Sequence, residues 1–335
     1  MKILGIETSC DETSAAIVEN GTNILSNVIA TSAEMHAKTG GVIPEQAARE
    51  QVRSILPVID EAIESAKVKP EEIDAIAVTL GPGLIGSLIV GVETAKALSL
   101  IWKKPIIPVN HLVAHIYANW LDQEKSPSFP SLALVVSGGH TDLVLMKKHG
   151  EIAWIGGTRD DAAGEAFDKC ARLLGLPYPG GPAIAKAAAN FSGKNLDKFP
   201  RPMLEEKSFD WSFSGLKTAV LRSTQGKKEL HVTLLAAEIQ EAIVDVLVAK
   251  TLRAVKKFSP KSLLLAGGVA ANTRLREKFE EEIKNQKLDV TFRVPPPKLC
   301  TDNAAYIAGC AYFLNSKVNP RSLAVNAELT IVGQI

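Results

Sequence analysis

The sequence predicts an α/β fold of two duplicated lobes, each built on a mixed sheet flanked by helices, with a cleft between the lobes. Two observations carry this prediction. The chain has 335 residues, whereas a single hydrophobic core stops growing at about 250–300 residues. A pattern of three short strands also occurs twice, and each time an apolar strand that ends in glycines follows it. Ligands are expected between the lobes.

The first copy of the pattern begins at the N-terminus. Residues 3–6 form a buried apolar run, a polar loop follows, and residues 15–18 and 24–29 give the next two strands. Asn20-Gly21 separates the second strand from the third and supplies the positive φ angles of a tight hairpin. The N-terminal segment is therefore predicted to be a three-stranded meander.

The second copy begins near the middle of the chain. Its strands are predicted at residues 132–136, 143–146 and 152–155. Apolar strands that run into glycines then recur after each copy, at residues 75–80 and 263–266. Residues 190–235 interrupt the second copy and are interpreted as an insertion, followed by a long amphipathic helix at 231–257.

Global charge gives no sign of a nucleic-acid partner. Lys and Arg together number 38 and Asp and Glu 37, so a polyanion would have to bind a local basic patch. Small clusters of this kind are usually solvated surface. The candidate clusters are Lys147-Lys148, Lys194 with Lys198 and Arg201, and Arg274 with Arg276.

Cysteine usage and the N-terminus indicate the cytoplasm. The four cysteines are far apart and form no C-x-x-C pair, which is typical of a reducing compartment. Glu7 interrupts the N-terminus before a signal-peptide core could form, and no apolar run approaches the ~20 residues of a membrane helix. No membrane association is expected.

Two histidines form a candidate metal site. His111 and His115 stand four residues apart, so on a helix both imidazoles share one face and can reach one ion. Leu112 stands where the H-E-x-x-H motif of zinc proteases has its glutamate, which disfavours peptide hydrolysis. Asp302, just before a helix rich in small residues, is the candidate third ligand, and an N-cap carboxylate is its alternative role.

Four glycine-rich turns at strand ends or helix starts could bind phosphate through backbone N–H groups. None matches a Walker loop or a Rossmann fingerprint, but together they favour nucleotide binding. The turns are Gly81-Pro82-Gly83 with Gly86, Ser137-Gly138-Gly139-His140-Thr141, Gly180-Gly181-Pro182 and Gly267-Gly268, the last expected to open the helix that contains Asn272.

Three carboxylates, Glu7, Asp11 and Glu12, lie in and beside the first hairpin loop and are expected to face the cleft. A carboxylate near bound phosphate or a nucleophilic amine can act as a base or orient the attacking group. A solvated loop acid is the alternative interpretation.

Taken together, these motifs closely resemble the TsaD family, from Met1 into the final helix. The resemblance implies the actin-like ATPase (ASKHA) superfold, with an N-terminal lobe at 1–127 plus 303–335 and a C-terminal lobe at 128–302 whose insertion lies at about 190–235. The segments that carry it are Gly5-Ile6-Glu7-Thr8-Ser9-Cys10-Asp11-Glu12-Thr13, Gly81-Pro82-Gly83, Asn110-His111 with His115, Ser137-Gly138-Gly139-His140-Thr141, Gly164-Glu165-Ala166-Phe167-Asp168-Lys169 and Gly267-Gly268-Val269-Ala270-Ala271-Asn272.

The family transfers a threonylcarbamoyl group from threonylcarbamoyl-AMP to the exocyclic amine of adenosine 37 in tRNAs that read ANN codons. By resemblance, one Fe²⁺ or Zn²⁺ per chain would be held by His111, His115 and Asp302, and Asp11 and Glu12 would be the catalytic carboxylates. Bacterial members work with a paralogue, TsaB, and an ATPase, TsaE. Threonylcarbamoyl-AMP, or ATP or ADP in its place, would be held by Val136, Ser137, Gly138, Gly139, His140, Asp168, Gly181 and Asn272.

The chain departs from many relatives at two positions. Gln51 follows Arg49-Glu50 where many relatives have His, and Ala185 stands where many have Asp. Both departures bear on contacts with the substrate's polar edge or ribose.

Two other functions stay open at this point. A small-molecule kinase of the same superfold would need Mg²⁺ on oxygen ligands and would have no use for the His111 and His115 pair. A non-catalytic scaffold paralogue would not need the metal-site residues.

Overall fold

The computed structural model describes residues 1–32, 41–193, 199–226 and 229–333. These residues form two compact units. The first unit comprises Met1–Pro127, His149–Glu151 and Pro295–Ile335, and the second comprises Ser128–Lys148 and Ile152–Val294. The lobe boundaries given above stay a prediction, and residues 194–198 and 227–228 of the predicted insertion lie outside the described residues.

The strands follow the predicted pattern closely. They are β1 (Lys2–Glu7), β2 (Glu12–Glu19), β3 (Asn23–Thr31), β4 (Ala75–Gly81), β5 (Ile106–Asn110), β6 (Ser131–Val136), β7 (Thr141–Lys148), β8 (Glu151–Gly157), β9 (Ser262–Ala266) and β10 (Thr291–Arg293). Asn20 and Gly21 adopt φ angles of 53° and 75°, as the hairpin between β2 and β3 requires.

Helices lie between and after these strands. They are α1 (Pro44–Ala66), α2 (Ile85–Trp102), α3 (His111–Tyr117), α4 (Ala163–Leu173), α5 (Gly180–Ala188), α6 (Ser214–Thr224), α7 (Val232–Phe258), α8 (Thr273–Asn285) and α9 (Ala304–Leu314). The predicted long helix at 231–257 is confirmed as α7.

The two sheets share one topology, which confirms the internal duplication. In the first unit the strand order is β3-β2-β1-β4-β5, and in the second it is β10-β9-β6-β7-β8. Read from its other edge, the second sheet has the order β8-β7-β6-β9-β10. Its strands therefore follow the order third, second, first, fourth and fifth within their own copy, as the strands of the first sheet do. The meanders β1–β2–β3 and β6–β7 pair antiparallel, whereas β1–β4–β5 and β6–β9–β10 pair parallel.

Helix α9 packs closely on the first sheet. A Cβ at Gly5 of β1 would lie 2.3 Å from the carbonyl oxygen of Ala304, so only glycine permits this approach. The Ala304 N–H also donates to Ser14 Oγ at 2.9 Å. These contacts fix the start of α9, and with it Asp302, to the first sheet.

Helix α2 is the most apolar long helix of the described residues. Its 18 residues have a mean hydropathy of 1.4, so by length and composition it is the one helix among the described residues that could cross a membrane. The helix packs against β4 and α1 and buries Val92 and Ala95. Glu93 and Lys96 interrupt its apolar run, so the expectation that no uninterrupted run approaches the length of a membrane helix stands.

Candidate functional site

The predicted metal ligands converge in the first unit. One ligand atom from each of His111, His115 and Asp302 lies within 4.8 Å of the others. Asp302 Oδ1 is 3.6 Å from His111 Nε2 and 3.3 Å from His115 Nε2. Three side chains from two distant parts of the sequence therefore form one compact cluster.

The start of α3 places both histidines. The Asn110 side chain, at the end of β5, accepts the N–H groups of Leu112 and Val113 at 3.0 and 3.3 Å and so caps the helix. His111 and His115 then occupy one face, with ring centroids 4.6 Å apart. Both histidines are buried, as the i, i+4 spacing and a metal site would require.

The N-terminus of α9 presents Asp302 to them. Asn303, not Asp302, caps this helix, because the Asn303 side chain accepts the Ala305 N–H at 3.1 Å. The N-cap role for Asp302 is therefore wrong, and its carboxylate is left to face the histidines. Tyr306, which was not predicted from the sequence, donates its hydroxyl to Asp302 at 3.4 Å, and its ring lies tilted against the His115 ring with the centroids 4.7 Å apart. Tyr306 lies four residues, about one helical turn, after Asp302, and this spacing could have indicated from the sequence that the two side chains meet.

The cluster fits a metal ion. Both ring nitrogens of His115 are buried without a hydrogen-bond partner among the described residues, although Nε2 lies 3.3 Å from Asp302 Oδ1. Buried polar atoms are normally satisfied, and an orphaned pair therefore calls for an explanation. Two imidazoles with one carboxylate are a usual ligand set for zinc or non-haem iron and leave coordination positions open.

The charged groups of the cluster shift one another's pKa values. Burial alone would lower the pKa of His111, but the charges of Glu7 and Asp302 raise it to about 9. Burial would raise the pKa of Asp302, but the adjacent histidines hold it well below its usual range. The pKa of His115 is lowered by burial and by the neighbouring His111. The site thus holds negative charge that a cation can neutralise.

Glu7 does not line an opening as expected from the sequence. It is fully buried, and its carboxylate contacts the Ser9 N–H, the Thr79 hydroxyl and His111 Nδ1 at 2.5, 2.7 and 2.9 Å. Side chains on both faces of β1 are buried, and this burial extends to Glu7 at the end of the strand. Its role is therefore beside the metal cluster, not in contact with solvent.

Glu12 lies close to the metal cluster. Burial, followed by the charges of Asp302 and Asp11, raises the pKa of Glu12. The backbone carbonyl of Asp11 accepts hydrogen bonds from the Ser32 N–H and hydroxyl at 3.4 and 2.7 Å. The first hairpin loop thus carries two partly exposed carboxylates beside the candidate ligands.

Gln51 supports this loop from α1. It is 1% exposed, and its amide nitrogen lies 3.4, 3.1 and 3.0 Å from the carbonyl oxygens of Thr8, Cys10 and Glu12. The departure at position 51 therefore concerns the backbone of the loop. Ala185, the other departure, lies half-buried on α5 in the second unit.

The glycine turn of the first unit is used for packing. A Cβ at Gly83 would lie 2.4 Å from the Ser9 carbonyl oxygen. The Gly83 N–H donates to Ala327 and the Leu84 N–H to Ser9, at 3.3 and 2.8 Å. The expectation that these N–H groups bind phosphate is wrong, because the chain itself takes them up.

The second unit keeps its glycine turns open. A Cβ at Gly138, Gly139, Gly181 or Gly268 would meet nothing within 4 Å. By contrast, a Cβ at Gly267 would lie 2.3 Å from the Val136 carbonyl oxygen, so the turn after β9 packs directly on the end of β6. The Ser137 to His140 loop and Gly268 are therefore neighbours at the carboxyl edge of the second sheet.

Two side chains of the second unit support these turns. Asp168, on α4, accepts the Gly180 N–H at 2.7 Å and holds the start of α5. Asn272 is not inside a helix as expected. Its Oδ1 accepts the Leu275 N–H at 3.0 Å and caps α8, and its Nδ2 donates to Gln240 at 3.0 Å. The 3-10 turn Gly268–Ala271 delays the helix start.

The candidate basic clusters are mostly engaged within the second unit. Arg274 pairs with Glu241 at 2.9 Å, and Arg201 pairs with Asp245 at 2.8 Å. Lys147 and Lys148 are exposed on β7, whereas Lys194 and Lys198 lie outside the described residues.

Known proteins resemble this chain over nearly its full length. A family described as tRNA N6-adenosine threonylcarbamoyltransferase, TsaD, matches residues 23–309. The tRNA N6-adenosine threonylcarbamoyltransferase of Thermomicrobium roseum is 52% identical over 94% of this chain and 92% of its own. The Geobacillus kaustophilus protein of the same name is 52% identical over 97% and 95%.

Solved structures agree on the fold. Component A of the (R)-2-hydroxyglutaryl-CoA dehydratase from Acidaminococcus fermentans has a TM-score of 0.54 at 16% identity, covering 93% of this chain and 98% of its own. At this identity the likeness shows only the fold, the actin-like ATPase superfold with two mixed sheets flanked by helices. The level of identity with the curated relatives goes further: the chain belongs to the TsaD family of tRNA N6-adenosine threonylcarbamoyltransferases.

Proposed function

We propose that this chain transfers the threonylcarbamoyl group of threonylcarbamoyl-AMP to the exocyclic amine of adenosine 37 in tRNAs that read ANN codons. The products are N6-threonylcarbamoyladenosine and AMP. Family membership supports the reaction, and the observation that carries it here is the cluster of buried His111 and His115 with the partly exposed Asp302. A kinase would not need two imidazoles, and a scaffold would not need the cluster.

His111, His115 and Asp302 would hold one Fe²⁺ or Zn²⁺ per chain. When bound, the ion supplies positive charge and Lewis-acid polarisation for substrate oxygen atoms. The chain's contribution is to bring the backbone segments that carry the three ligands together, through the cap at Asn110 and the packing of α9 at Gly5.

The open turns of the second unit would hold threonylcarbamoyl-AMP, or ATP or ADP in its place. Backbone N–H groups of Gly138, Gly139 and Gly268 suit phosphate oxygens because a Cβ at these positions would meet nothing within 4 Å. The Ser137 and His140 N–H groups bond within the loop and hold its shape. Gly181 is equally uncovered, and its N–H interacts with Asp168. Asp168 and Asn272 would keep these turns in place through the bonds described above. Val136 anchors the loop at the buried end of β6.

Asp11 and Glu12 are the proposed catalytic carboxylates. The adenine nitrogen forms a bond to the carbamoyl carbon, the bond from that carbon to the phosphate oxygen breaks, and AMP leaves. The amine must also lose a proton, and a carboxylate within reach can accept it or orient the amine. Asp11 is proposed for this role because the family pattern implies it, with Glu12 beside it in the loop.

Partners other than tRNA are proposed from the family. A TsaB-type paralogue would bind the apolar side of α1 and α2, where four large side chains are 45–64% exposed. A TsaE-type ATPase would complete a cytoplasmic system. The four side chains are Val52, Leu56, Ile85 and Ile89.

The test is transfer of labelled threonine. Metal-loaded protein is supplied with fresh threonylcarbamoyl-AMP, unmodified tRNA and the partner proteins, and label in tRNA is measured beside an Asp11→Ala variant. We expect label with wild type and strong loss with the variant. No label with wild type, with ATP consumed on a small acceptor, would contradict the proposal in favour of a kinase.

A further inference from the structure

We propose that Glu7 is a positioning residue for the metal cluster. In this inference, which rests on the metal site proposed above, the Glu7 carboxylate holds His111 in the tautomer that carries its proton on Nδ1. Nε2 of His111 then keeps its lone pair for a metal ion.

The contacts of Glu7 set the direction of the hydrogen bond. An ionised carboxylate only accepts hydrogen bonds. Glu7 already accepts from the Ser9 N–H at 2.5 Å and the Thr79 hydroxyl at 2.7 Å, and its Oε2 lies 2.9 Å from His111 Nδ1. Glu7 is 0% exposed, so its carboxylate is shielded from bulk solvent. Nδ1 must therefore be the donor in this third contact.

The proton on Nδ1 determines the state of the other ring nitrogen of His111, Nε2. When an ion binds, it takes the place of any proton on Nε2, while the proton that Glu7 accepts stays on Nδ1, so the lone pair that faces the ion is on Nε2. His111 Nε2 is the atom that lies 3.6 Å from Asp302 Oδ1, on the side of the ligand cluster. A carboxylate bonded to the remote nitrogen of a histidine ligand fixes its ring and raises its basicity.

Neighbouring parallel strands build this arrangement. Glu7 ends β1, Thr79 lies in β4, and His111 directly follows β5. Because β1, β4 and β5 pair in parallel, their carboxyl ends meet at one edge of the sheet. The backbone thus fixes the hydroxyl, the carboxylate and the imidazole in one row.

His115 provides the internal contrast. Its Nδ1 is buried but has no hydrogen-bond partner in the described ranges, so no acceptor selects a tautomer. Its ring is held by an edge-to-face contact with His111 and a tilted contact with Tyr306 instead. We therefore assign His111 as the ligand that is set before the ion arrives, and His115 as the one that adjusts.

Ser9 offers the competing arrangement. Its hydroxyl lies 3.2 Å from the same Nδ1. If that hydroxyl donated to Nδ1, the proton of His111 would sit on Nε2 and block it as a ligand. The shorter contact and the acceptor-only chemistry favour Glu7.

The first test reads the tautomer directly in wild-type protein. Histidine labelled with ¹⁵N is examined by long-range ¹H–¹⁵N correlation in the zinc-loaded protein, where zinc serves as a diamagnetic probe. Spectra of His111→Ala and His115→Ala variants assign the signals. We expect a protonated Nδ1 and a metal-bound Nε2 for His111. A proton on His111 Nε2 would overturn the inference, whatever the variants do.

The second test measures zinc affinity by competition with a chromophoric chelator. Glu7→Gln should bind zinc about 10–100-fold more weakly, whereas Thr79→Val, which removes one donor to Glu7 and leaves His111 untouched, should lose much less. Ser9→Ala should stay close to wild type.

The outcomes separate this inference from the proposed function. Wild-type affinity in Glu7→Gln, or a large loss in Ser9→Ala alone, would overturn the role of Glu7 while the metal site stands. A wild-type protein that binds no zinc would overturn both the site and the inference, and label transfer to tRNA is measured independently of either. If Glu7→Gln does not fold, the tautomer in wild-type protein decides.

Discussion

The two units share a strand order but build their candidate sites from different parts of the chain. The first unit uses buried side chains, and its glycine turn is closed by its own backbone. The second unit uses exposed backbone at turns where a Cβ would meet nothing. The two units thus have the same strand order, but side chains form the candidate site of the first unit and open backbone turns form that of the second. Substitutions should therefore act differently in the two units.

The largest effect is expected from His111→Ala in the first unit. Mutation of a residue that only hydrogen-bonds a metal ligand typically lowers metal affinity about 10–100-fold. Loss of a direct ligand should lower zinc affinity by more than this, and it should abolish transfer of the label to tRNA. Binding of ADP to the second unit's turns is expected to persist, since that site uses other residues. Metal content by mass spectrometry and ADP affinity by calorimetry check this. Full metal content in the variant would contradict the assignment.

Two adjacent glycines of the second unit, Gly267 and Gly268, allow a comparison between a closely packed and an open position of the same turn. Gly267→Ala should destabilise the fold by about 2–4 kcal/mol, because a Cβ would overlap the Val136 carbonyl oxygen and the φ of +89° is unfavourable for alanine. Gly268→Ala is the matched control and should change the free energy of unfolding little. Urea unfolding of both variants measures the difference. Equal stabilities would mean that the turn does not pack as described.

The next largest loss of stability is expected from substitution of Gln51, in the first unit. Gln51→Leu removes the donor to the loop carbonyls and should cost about 1–3 kcal/mol of unfolding free energy. Gln51→Glu should be destabilised at neutral pH, where a carboxylate would face carbonyl oxygens, and should recover as the pH falls and the acid can donate. A Gln51→Glu variant whose relative stability does not change with pH would contradict this interpretation.

The smallest effect concerns an ion-pair cluster of the second unit. Burial alone would raise the pKa of Glu241, but Arg274 and Lys278 lower it to about 2. Since the folded pKa lies below the unfolded value of 4.5, the stabilisation is present above pH 4.5 and is lost as the pH falls towards about 2. Allowing for solvent screening, we expect about 1–2 kcal/mol.

A Glu241→Gln variant tests this by urea unfolding from about pH 6, above the unfolded pKa, to about pH 3, between the two pKa values. Its stability should fall less steeply with decreasing pH than that of wild type. Identical slopes would show that Glu241 is not stabilised by its partners.

The sequence predicted what depends on local pattern. The Asn20-Gly21 hairpin, the duplicated strands and the shared helical face of His111 and His115 all follow from residues close together in the chain. These features need no knowledge of packing. Periodicity and turn chemistry were therefore sufficient for the fold class and for two of the three candidate ligands.

What the sequence could not predict depends on distant contacts. Glu7 was expected to face a cleft, but its partners are His111 and Thr79, far away in the chain. Gly83 looked like an open turn, yet it packs on Ser9. Local pattern does not reveal which loop closes over a turn, or which acceptor a buried side chain meets, because the tertiary arrangement decides both.

The most direct test of the central claim is titration of metal-free protein with Fe²⁺ or Zn²⁺ while the modified nucleoside in tRNA is measured by mass spectrometry. The account predicts that activity rises with added ion and saturates at one ion per chain in wild type, with no recovery in His115→Ala. Full activity of the metal-free protein in the presence of a chelator would contradict it.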